Sequence, residues 1–188
     1  MKMKKVYRTE RLVLKVPDKN FADSVLDYYI RNKEFLEEWE SVKKDDFYTL
    51  KYHQDQMEIE LFNIYNKRSF RVWIFKNDDE NKAIGSIGFS NIVYGAFLSC
   101  HLGYKLDKDE INNGYITEAL QKGIEIIFNE YKLHRIEANI MPKNKRSMRV
   151  VEKLGFYNEG LAYNYLKING KWEDHIHMVL LNDKLDKD

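Results

Sequence analysis

Residues 103–119 read GYKLDKDEINNGYITEA, and this stretch decides the fold of the chain. Its first part ends a run of alternating apolar and polar residues, which is typical of a β-strand, and its last part begins an amphipathic helix. The Asn-Asn-Gly at residues 112–114 marks the turn between the two. A turn of this kind directs the free backbone N–H groups of the helix N-terminus toward one point, where an anion can bind.

An apolar stripe predicts the helix that follows the turn. Apolar residues recur at every third or fourth position from Ile116 to Tyr131, and Asn113 is the expected N-cap. Gly123 lies on the stripe. There a missing side chain permits a close approach to a sheet, at a cost to the helix of about 1 kcal/mol.

The periodicity of the remaining residues predicts the elements around this unit. A strand at 11–16 and helical segments within 18–66 precede an antiparallel meander of strands at 70–75, 83–93 and 97–106. The helix is followed by a strand at 135–141, a short helix that begins near Asn144, and a hairpin over 156–181 that turns at Asn169-Gly170. The strands on either side of the long helix should be parallel, because that helix is a crossover connection. We therefore predict an α+β fold with one domain over residues 1–188 and a mixed, mostly antiparallel central sheet flanked by helices.

Composition limits the class of protein. Hydrophobic residues make up 44% of the chain, which favours a packed core. The 31 basic and 30 acidic residues nearly cancel, and this argues against nucleic acid as a partner. The lone Cys100 excludes an internal disulfide and a multi-Cys zinc site. No signal peptide and no apolar run of about 18 residues is present, so we expect a cytoplasmic protein without a membrane partner.

Several separated motifs together resemble one family. They are Thr9-Glu10-Arg11-Leu12 in the first strand, the stretch 103–119, Asn144-x-x-Ser147 followed by Glu152-Lys153-Leu154-Gly155-Phe156, and Gly170-Lys-Trp172-x-Asp174 in the closing hairpin. In this combination the chain resembles the GNAT superfamily of N-acetyltransferases, and more closely its ribosomal-protein N-terminal acetyltransferase branch of the RimJ/RimL type. Residues 17–80 lack a specific match, as is expected where acceptor-binding helices vary. The rival phosphate-binding motifs, a P-loop and G-x-G-x-x-G, are absent.

The resemblance implies that acetyl-CoA binds at the turn. Its pyrophosphate is expected on the backbone amides of residues 111–117, and its pantetheine beside the strand that precedes them. The residues implied are Tyr104, Lys105, Leu106, Ile111, Asn112, Asn113, Gly114, Tyr115, Ile116 and Thr117, with Asn144 as a helix cap or a pantetheine contact. The chain departs from the family pattern at Ile111, Asn112 and Ile116. Asn tolerates left-handed backbone angles nearly as Gly does, so the amides are still expected to converge.

Acetyl transfer needs a neutral amine, a polarised carbonyl and a stabilised thiolate. The resemblance assigns Ser147 to hydrogen bonding or protonation of the thiolate, and capping of its own helix is the alternative. A backbone N–H near Tyr104 is expected to polarise the carbonyl. No residue matches a family general base, because Val151 and Asn139 occupy the usual positions of the acid–base tyrosine and carboxylate. This gap favours an α-amine acceptor, whose pKa of about 7.7–8.0 lies well below the value of about 10.4 for lysine.

Other residues carry weaker hypotheses. His101 is a candidate general base, and Cys100 is a candidate nucleophile without an evident activating partner. His175 and His177 share one strand face, but no third metal ligand is evident and no metal is expected. A basic cluster either forms a solvated helix face or contacts the 3′-phosphate of CoA; its members are Lys143, Lys145, Arg146 and Arg149.

The predicted function is an acetyl-CoA-dependent N-acetyltransferase that acts on a primary amine, preferably the N-terminal α-amine of a protein or peptide. A small amine, such as a polyamine or an amino-sugar antibiotic, is the alternative acceptor. A different class of function, an acyl-CoA-binding sensor without turnover, is suggested by the altered turn and by the missing acid–base residues. The sequence leaves open whether the chain forms a homodimer.

Overall fold

An eight-stranded sheet runs through the molecule in the order β1-β2-β3-β4-β5-β6-β8-β7. The computed structural model describes residues 5–185. The strands are β1 (Val6–Arg8), β2 (Leu12–Lys15), β3 (Phe70–Lys76), β4 (Asp79–Val93), β5 (Ser99–Leu106), β6 (Arg135–Ile140), β7 (Tyr157–Ile168) and β8 (Lys171–Leu181). Among these strands β5 and β6 form the one parallel pair, and every other neighbouring pair is antiparallel. The predicted mixed, mostly antiparallel sheet is confirmed.

Helices cover both faces of this sheet. They are α1 (Ala22–Arg31), α2 (Lys33–Glu37), α3 (Leu50–Tyr65), α4 (Tyr115–Asn129) and α5 (Lys145–Lys153). The first three cover a cluster that includes Val13 and Trp73, and we call this side the α1 face. The last two cover a larger cluster that includes Leu14 and Ile74, and we call this side the α4 face. No helix within residues 5–185 is long and apolar enough to span a membrane.

The N-terminal hairpin differs from the sequence-based prediction. A single strand is expected at residues 11–16, whereas the structure has a short additional strand, β1, that pairs antiparallel with β2. The side chain of Tyr7 is buried, and its ring meets that of Phe70 at a centroid distance of 6.0 Å. A three-residue strand is too short to show a period in the sequence, which is why the pattern misses it. The predicted single domain over residues 1–188 extends beyond the described residues at both ends.

The long helix α4 packs closely on the sheet at Gly123. A Cβ atom at this position would lie 2.6 Å from Cδ1 of Ile87 and 3.0 Å from the ring of Phe89. Both distances are shorter than the optimal carbon–carbon separation of about 3.5–4.0 Å. The missing side chain therefore allows the close approach that the sequence predicts.

Replacing Gly123 with Ala is expected to lower the free energy of unfolding by about 1 kcal/mol. The methyl group removes the helix cost of glycine, about 1 kcal/mol, but overpacking a tight contact costs typically about 1–3 kcal/mol. Gln121→Ala, on the exposed side of the same helix, is the matched control and should stay within about 0.5 kcal/mol of the wild type. Urea unfolding gives the free energy of unfolding of the wild type and of both variants. A Gly123→Ala protein as stable as the control would show that the sheet yields to the added methyl group.

Candidate functional site

The strands β5 and β6 diverge soon after they meet. Their parallel pairing comprises Ser99 with Arg135, Cys100 with Ile136, and His101 with Glu137. Beyond this point β5 continues along β4, and β6 continues along β8. Residues 102–106 therefore have no partner strand on their β6 side within the described chain. Backbone N–H and C=O groups need hydrogen-bond partners, so this edge can bind an extended ligand as an additional strand would.

The turn that ends β5 presents the N-terminus of α4 without a side-chain cap. The N-cap is Gly114, with a φ angle of 78°, and not Asn113 as the sequence suggests. The amide of Asn113 instead donates to the carbonyl of Glu110 at 3.4 Å. Asn112 adopts a φ angle of 65°, so an Asn does hold the left-handed conformation here. The first backbone N–H groups of α4 are left for solvent or an anion.

Of the three residues that depart from the family pattern, two face the core and one faces solvent. The side chains of Ile111 and Ile116 are partly buried and pack against the core cluster of the α4 face. Asn112 is exposed, as are its neighbours Asn113 and Gly114. The larger side chains are thus accommodated by the core, and the outer surface of the turn carries only small residues.

Arg11 in the first hairpin holds the α4 end of the turn in place by hydrogen bonds. Its backbone N and Nε atoms donate to the carboxylate of Glu118 at 2.8 and 2.7 Å, and Thr9 Oγ1 donates to the same carboxylate at 2.6 Å. Arg11 Nη1 also donates to the carbonyl of Asn113 at 2.9 Å. Burial raises the pKa of Glu118, but the hydrogen bonds from Thr9 and Arg11 outweigh it and lower the pKa below its ordinary value. The sequence shows both residues in matched motifs but not that they touch.

Asp107 fastens the other end of the turn. Its side chain is fully buried and accepts from Arg31 Nε at 2.7 Å and from the backbone N of Asp109 at 3.1 Å. Asn32 Oδ1 accepts from the backbone N of Lys108 at 2.9 Å. Burial raises the pKa of Asp107, but these hydrogen bonds and the Arg31 charge hold it below 3.8. The carboxylate is therefore ionised near neutral pH and ties the turn to α1.

The N-terminus of α5 meets β5 on the α4 face. Asn144 caps the helix as predicted, because its Oδ1 accepts from the backbone N of Ser147 at 3.1 Å. The phenol oxygen of Tyr104 lies 2.6 Å from Ser147 Oγ and 2.9 Å from the Ser147 carbonyl oxygen. Three residues that the resemblance assigns to the site are thereby in contact. Cys100 lies buried on the same face, and burial raises the pKa of its thiol to about 12, which argues against a nucleophilic role.

On the α1 face a buried carboxylate, Glu137, lies where the strands separate. Its Oε1 is 2.9 Å from His177 Nδ1 and 3.8 Å from His101 Nε2, and its Oε2 accepts from Arg135 at 2.9 Å. Burial raises the pKa of Glu137, but the bonds from Arg135 and Asn139 and the nearby histidines lower it overall. The sequence-based prediction includes His101 but misses Glu137, because no motif marks it.

The histidine pair and the basic cluster singled out in the sequence are also placed by the structure. His175 and His177 share one strand face as predicted, because both rings pack against Tyr165, and His175 Nδ1 contacts the carbonyl of Glu173 at 2.9 Å. In residues 5–185 no group of three or more His, Cys, Asp or Glu side chains could hold a metal ion. Lys143 turns to Glu173 at 3.4 Å and to Glu38 at 3.8 Å. The rest of the predicted basic cluster is exposed along α5; it consists of Lys145, Arg146 and Arg149.

Lys105 points to the α1 face, away from α5. Its ammonium group pairs with the carboxylate of Glu40 and donates to the hydroxyl of Tyr29 at 3.1 Å. Burial alone would lower the pKa of Lys105, but Tyr29 and Glu40 raise it overall. The side chain is therefore a charged, paired group at the edge of a cavity of about 200 Å³ that Trp73 also lines. Only the backbone of Lys105 faces the gap between the strands.

Comparison with known proteins agrees with this geometry. The model of the acetyltransferase (GNAT) domain family matches residues 11–157. Ribosomal protein uS5-alanine N-acetyltransferase from Escherichia coli is 37% identical over 175 residues, which cover 92% of this chain and 88% of that protein. The crystal structure of ribosomal-protein-S5-alanine acetyltransferase from Vibrio fischeri has a TM-score of 0.91 at 30% identity and covers 96% of this chain and 98% of the other. The predicted fold is confirmed.

A third protein adds a ligand. RimJ from Mycobacterium smegmatis, solved in complex with a CoA disulfide, has a TM-score of 0.88 at 24% identity. The alignment covers 96% of this chain and 88% of that one. At this identity the likeness supports the shared fold, and the CoA is a property of the relative.

The Asp107→Asn variant is expected to be less stable than the wild type by about 2 kcal/mol near neutral pH, because it loses a charged hydrogen-bond partner of Arg31. A carboxylate whose folded-state pKa is lowered stabilises the protein above its unfolded pKa, and this stability is lost as the pH falls through the folded pKa. The wild type should therefore lose stability below the ordinary pKa of 3.8, and the variant should lose less there. Urea unfolding at a series of pH values from neutral to acidic gives the free energy of unfolding of both proteins.

Asp109→Asn, at an exposed neighbour, is the control. Identical pH profiles for Asp107→Asn and the wild type would contradict the assignment.

Proposed function

The chain belongs to the GNAT acetyltransferase family, and we propose that it transfers the acetyl group of acetyl-CoA to the N-terminal α-amine of a protein, with a ribosomal protein as the natural acceptor. The observation that carries the proposal is the divergence of β5 and β6 after His101 and Glu137, beside a helix N-terminus without a side-chain cap. The acceptor follows from the E. coli and V. fischeri relatives, whose names specify an alanine of ribosomal protein S5. Because the proposed acceptor is a ribosomal protein, we also propose a cytoplasmic location.

The residues at the turn fit acetyl-CoA. The free edge of residues 102–106 suits the amide groups of pantetheine. A Cβ at Gly103 would meet nothing within 4 Å, so β5 is also open on the α1 face. The uncapped amides of α4 suit the pyrophosphate. Exposed Lys145, Arg146 and Arg149 along α5 suit the remaining phosphate by charge.

The reaction would use groups from both faces of the sheet. Acetyl-CoA supplies the acetyl group and a thiolate leaving group. A backbone N–H near Tyr104 would polarise the carbonyl, and the Ser147 hydroxyl would stabilise the thiolate by a hydrogen bond. The acceptor would approach from the α1 face, where the His101 side chain is 38% exposed beside the ionised Glu137. A carboxylate there favours the approach of an ammonium group.

An α-amine suits this site better than a lysine side chain. His101 Nδ1 lies 3.2 Å from Asn91 Nδ2, and its Nε2 lies 3.8 Å from Glu137, beyond hydrogen-bond distance. The hydrogen bonds that lower the pKa of Glu137 make its carboxylate a weak base. An amine with a pKa of about 7.7–8.0 is partly neutral near physiological pH, whereas a lysine amine is almost wholly charged. The site therefore places little demand on a general base when the acceptor is an N-terminus.

Peptide acetylation tests the proposal. One peptide carries a free N-terminal alanine and no lysine, and its matched control has a blocked N-terminus and one internal lysine. We expect acetyl-CoA-dependent acetylation of the first peptide only, measured by mass spectrometry and by release of free CoA. A polyamine is included as the small-molecule alternative. Tight binding of acetyl-CoA without acetylation of any amine would instead identify a sensor.

Removing the hydroxyl of Ser147 should slow the chemical step and leave cofactor binding unchanged. Ser147→Ala is expected to lower kcat about 100- to 1,000-fold, as is typical when a preorganised hydrogen-bond donor to a developing negative charge is lost. The Kd for acetyl-CoA, measured by calorimetry, should stay within a factor of about two, because one weak contact is lost. If kcat is unchanged, the assigned role of Ser147 is wrong and its hydroxyl serves only the contact between α5 and Tyr104 of β5.

The turn should control affinity for CoA. Gly114→Ala forces a side chain into the left-handed region at a cost of about 1–2 kcal/mol, and its Cβ would lie 3.4 Å from Arg11 Nη2. In the free variant this strain favours other conformations of the turn, and CoA binding must restore the left-handed one. We therefore expect the Kd for CoA to rise about tenfold, since each 1.4 kcal/mol changes a binding constant about tenfold. Gly95→Ala is the control, because Gly95 has a φ angle of 79° and open space around it but lies outside the site. Equal Kd values for the two variants would argue against pyrophosphate binding at this turn.

A further inference from the structure

We propose that the phenol of Tyr104 is a positioning residue that directs the Ser147 hydroxyl toward the leaving sulfur of the cosubstrate. This role deepens the proposed function and rests on it. The sequence assigns Tyr104 only a backbone role, as part of the strand edge that pantetheine lies beside. Its side chain, however, extends from β5 to the first turn of α5 on the α4 face, where it meets Ser147 across 43 positions of the sequence.

The contact has one consistent hydrogen-bonding arrangement that leaves Ser147 able to donate. The two hydroxyl oxygens are 2.6 Å apart, and the Ser147 carbonyl oxygen is 2.9 Å from the same phenol. A phenol is a stronger acid than an aliphatic alcohol, so it is the better donor of the two. The phenol has one proton and two acceptors within reach, the Ser147 carbonyl at 2.9 Å and the nearer Oγ at 2.6 Å. When the phenol donates to Oγ, the serine proton is free to point elsewhere.

Burial keeps the phenol a donor. Desolvation raises the pKa of Tyr104 far above its ordinary value of 10.0, although the contact with Ser147 opposes the shift. Tyr104 therefore stays protonated throughout the neutral pH range. It holds its proton throughout the reaction and acts only by fixing the orientation of its neighbour.

Without this contact Ser147 would have a competing partner. Serine hydroxyls readily donate to nearby backbone carbonyls three or four positions earlier in the chain. The cap from Asn144 occupies the backbone N of Ser147 and leaves the hydroxyl unrestrained. The phenol supplies the missing restraint, since a hydrogen bond accepted by Oγ disfavours the rotamers that turn it away from Tyr104.

The proton balance of the transfer step defines what Ser147 does. The acceptor nitrogen forms a bond to the carbonyl carbon, and the C–S bond breaks with its electron pair remaining on sulfur. The Ser147 hydroxyl donates a hydrogen bond to that sulfur and keeps its own proton. The nitrogen loses its proton to water on becoming an amide, and the thiolate is protonated from solvent. The products are the acetylated amine and free CoA thiol, and Ser147 and Tyr104 both end in their starting protonation states.

Tyr104→Phe tests the proposal, because it removes the hydroxyl and keeps the ring. We expect kcat for the alanine peptide to fall about tenfold, with little change in KM for acetyl-CoA. The pKa of the CoA thiol in the binary complex, measured by the ultraviolet absorbance of the thiolate, should rise by about one unit, the size expected when a hydrogen bond to a charged group is weakened. Tyr131→Phe is the control, since its buried hydroxyl contacts the Ser69 carbonyl at 3.4 Å outside the site.

A double-variant cycle separates positioning from packing. If Tyr104 acts through Ser147, then Tyr104→Phe should have no further effect on kcat or on the thiol pKa in a Ser147→Ala background. Equal effects of Tyr104→Phe in both backgrounds would overturn the proposal, as would an unchanged thiol pKa in the single variant. Should the wild type acetylate no amine, the proposed function fails. The thiol pKa of bound CoA still decides the role of Tyr104 in that case.

Discussion

The short pairing of β5 with β6 is the constraint on which the rest of the site depends. Three residue pairs hold the strands together, and beyond Glu137 each strand follows a different neighbour. Asn139 pairs with His177 on β8, while Leu106 pairs with Gly85 on β4. The backbone of residues 102–106 is left without a partner strand on this side, and its N–H and C=O groups need a ligand or water to complete their hydrogen bonds. The binding site thus exists because β5 and β6 stop pairing after three residues.

The turn at the mouth of this gap is held in place from outside. Asp107 is tied to Arg31 of α1, and Glu118 is tied to Arg11 of the N-terminal hairpin, so both ends are fixed by residues far away in sequence. Fixed ends allow the left-handed angles between them to persist without a bound anion. A site arranged before binding loses less conformational entropy when the ligand arrives. This explains why the turn tolerates departures from the family pattern at Ile111 and Ile116: its conformation depends on the anchors.

Local patterns in the sequence predict the elements but not the contacts between them. The alternation and the helical stripe around residues 103–119 lead to the parallel pair, the crossover and the cofactor turn. The Asn113 cap is wrong because Gly114 next to it reaches the required left-handed angle at lower cost. The contacts of Arg11 with Glu118 and of Tyr104 with Ser147 span 107 and 43 positions. No periodicity encodes a separation of that kind, so these contacts depend on the assembled sheet.

The alternation of side chains along β5 explains how one strand serves both halves of the reaction. Tyr104 points to the α4 face and toward Ser147, while Lys105 points to the α1 face and toward Glu40. The backbone between them faces the gap in the plane of the sheet. Groups that act on the leaving thiol are thereby separated by the thickness of the sheet from groups that meet the acceptor. The acceptor side can change its charges and cavity to suit a different amine without disturbing the leaving-group side, which is consistent with one fold serving many acceptors.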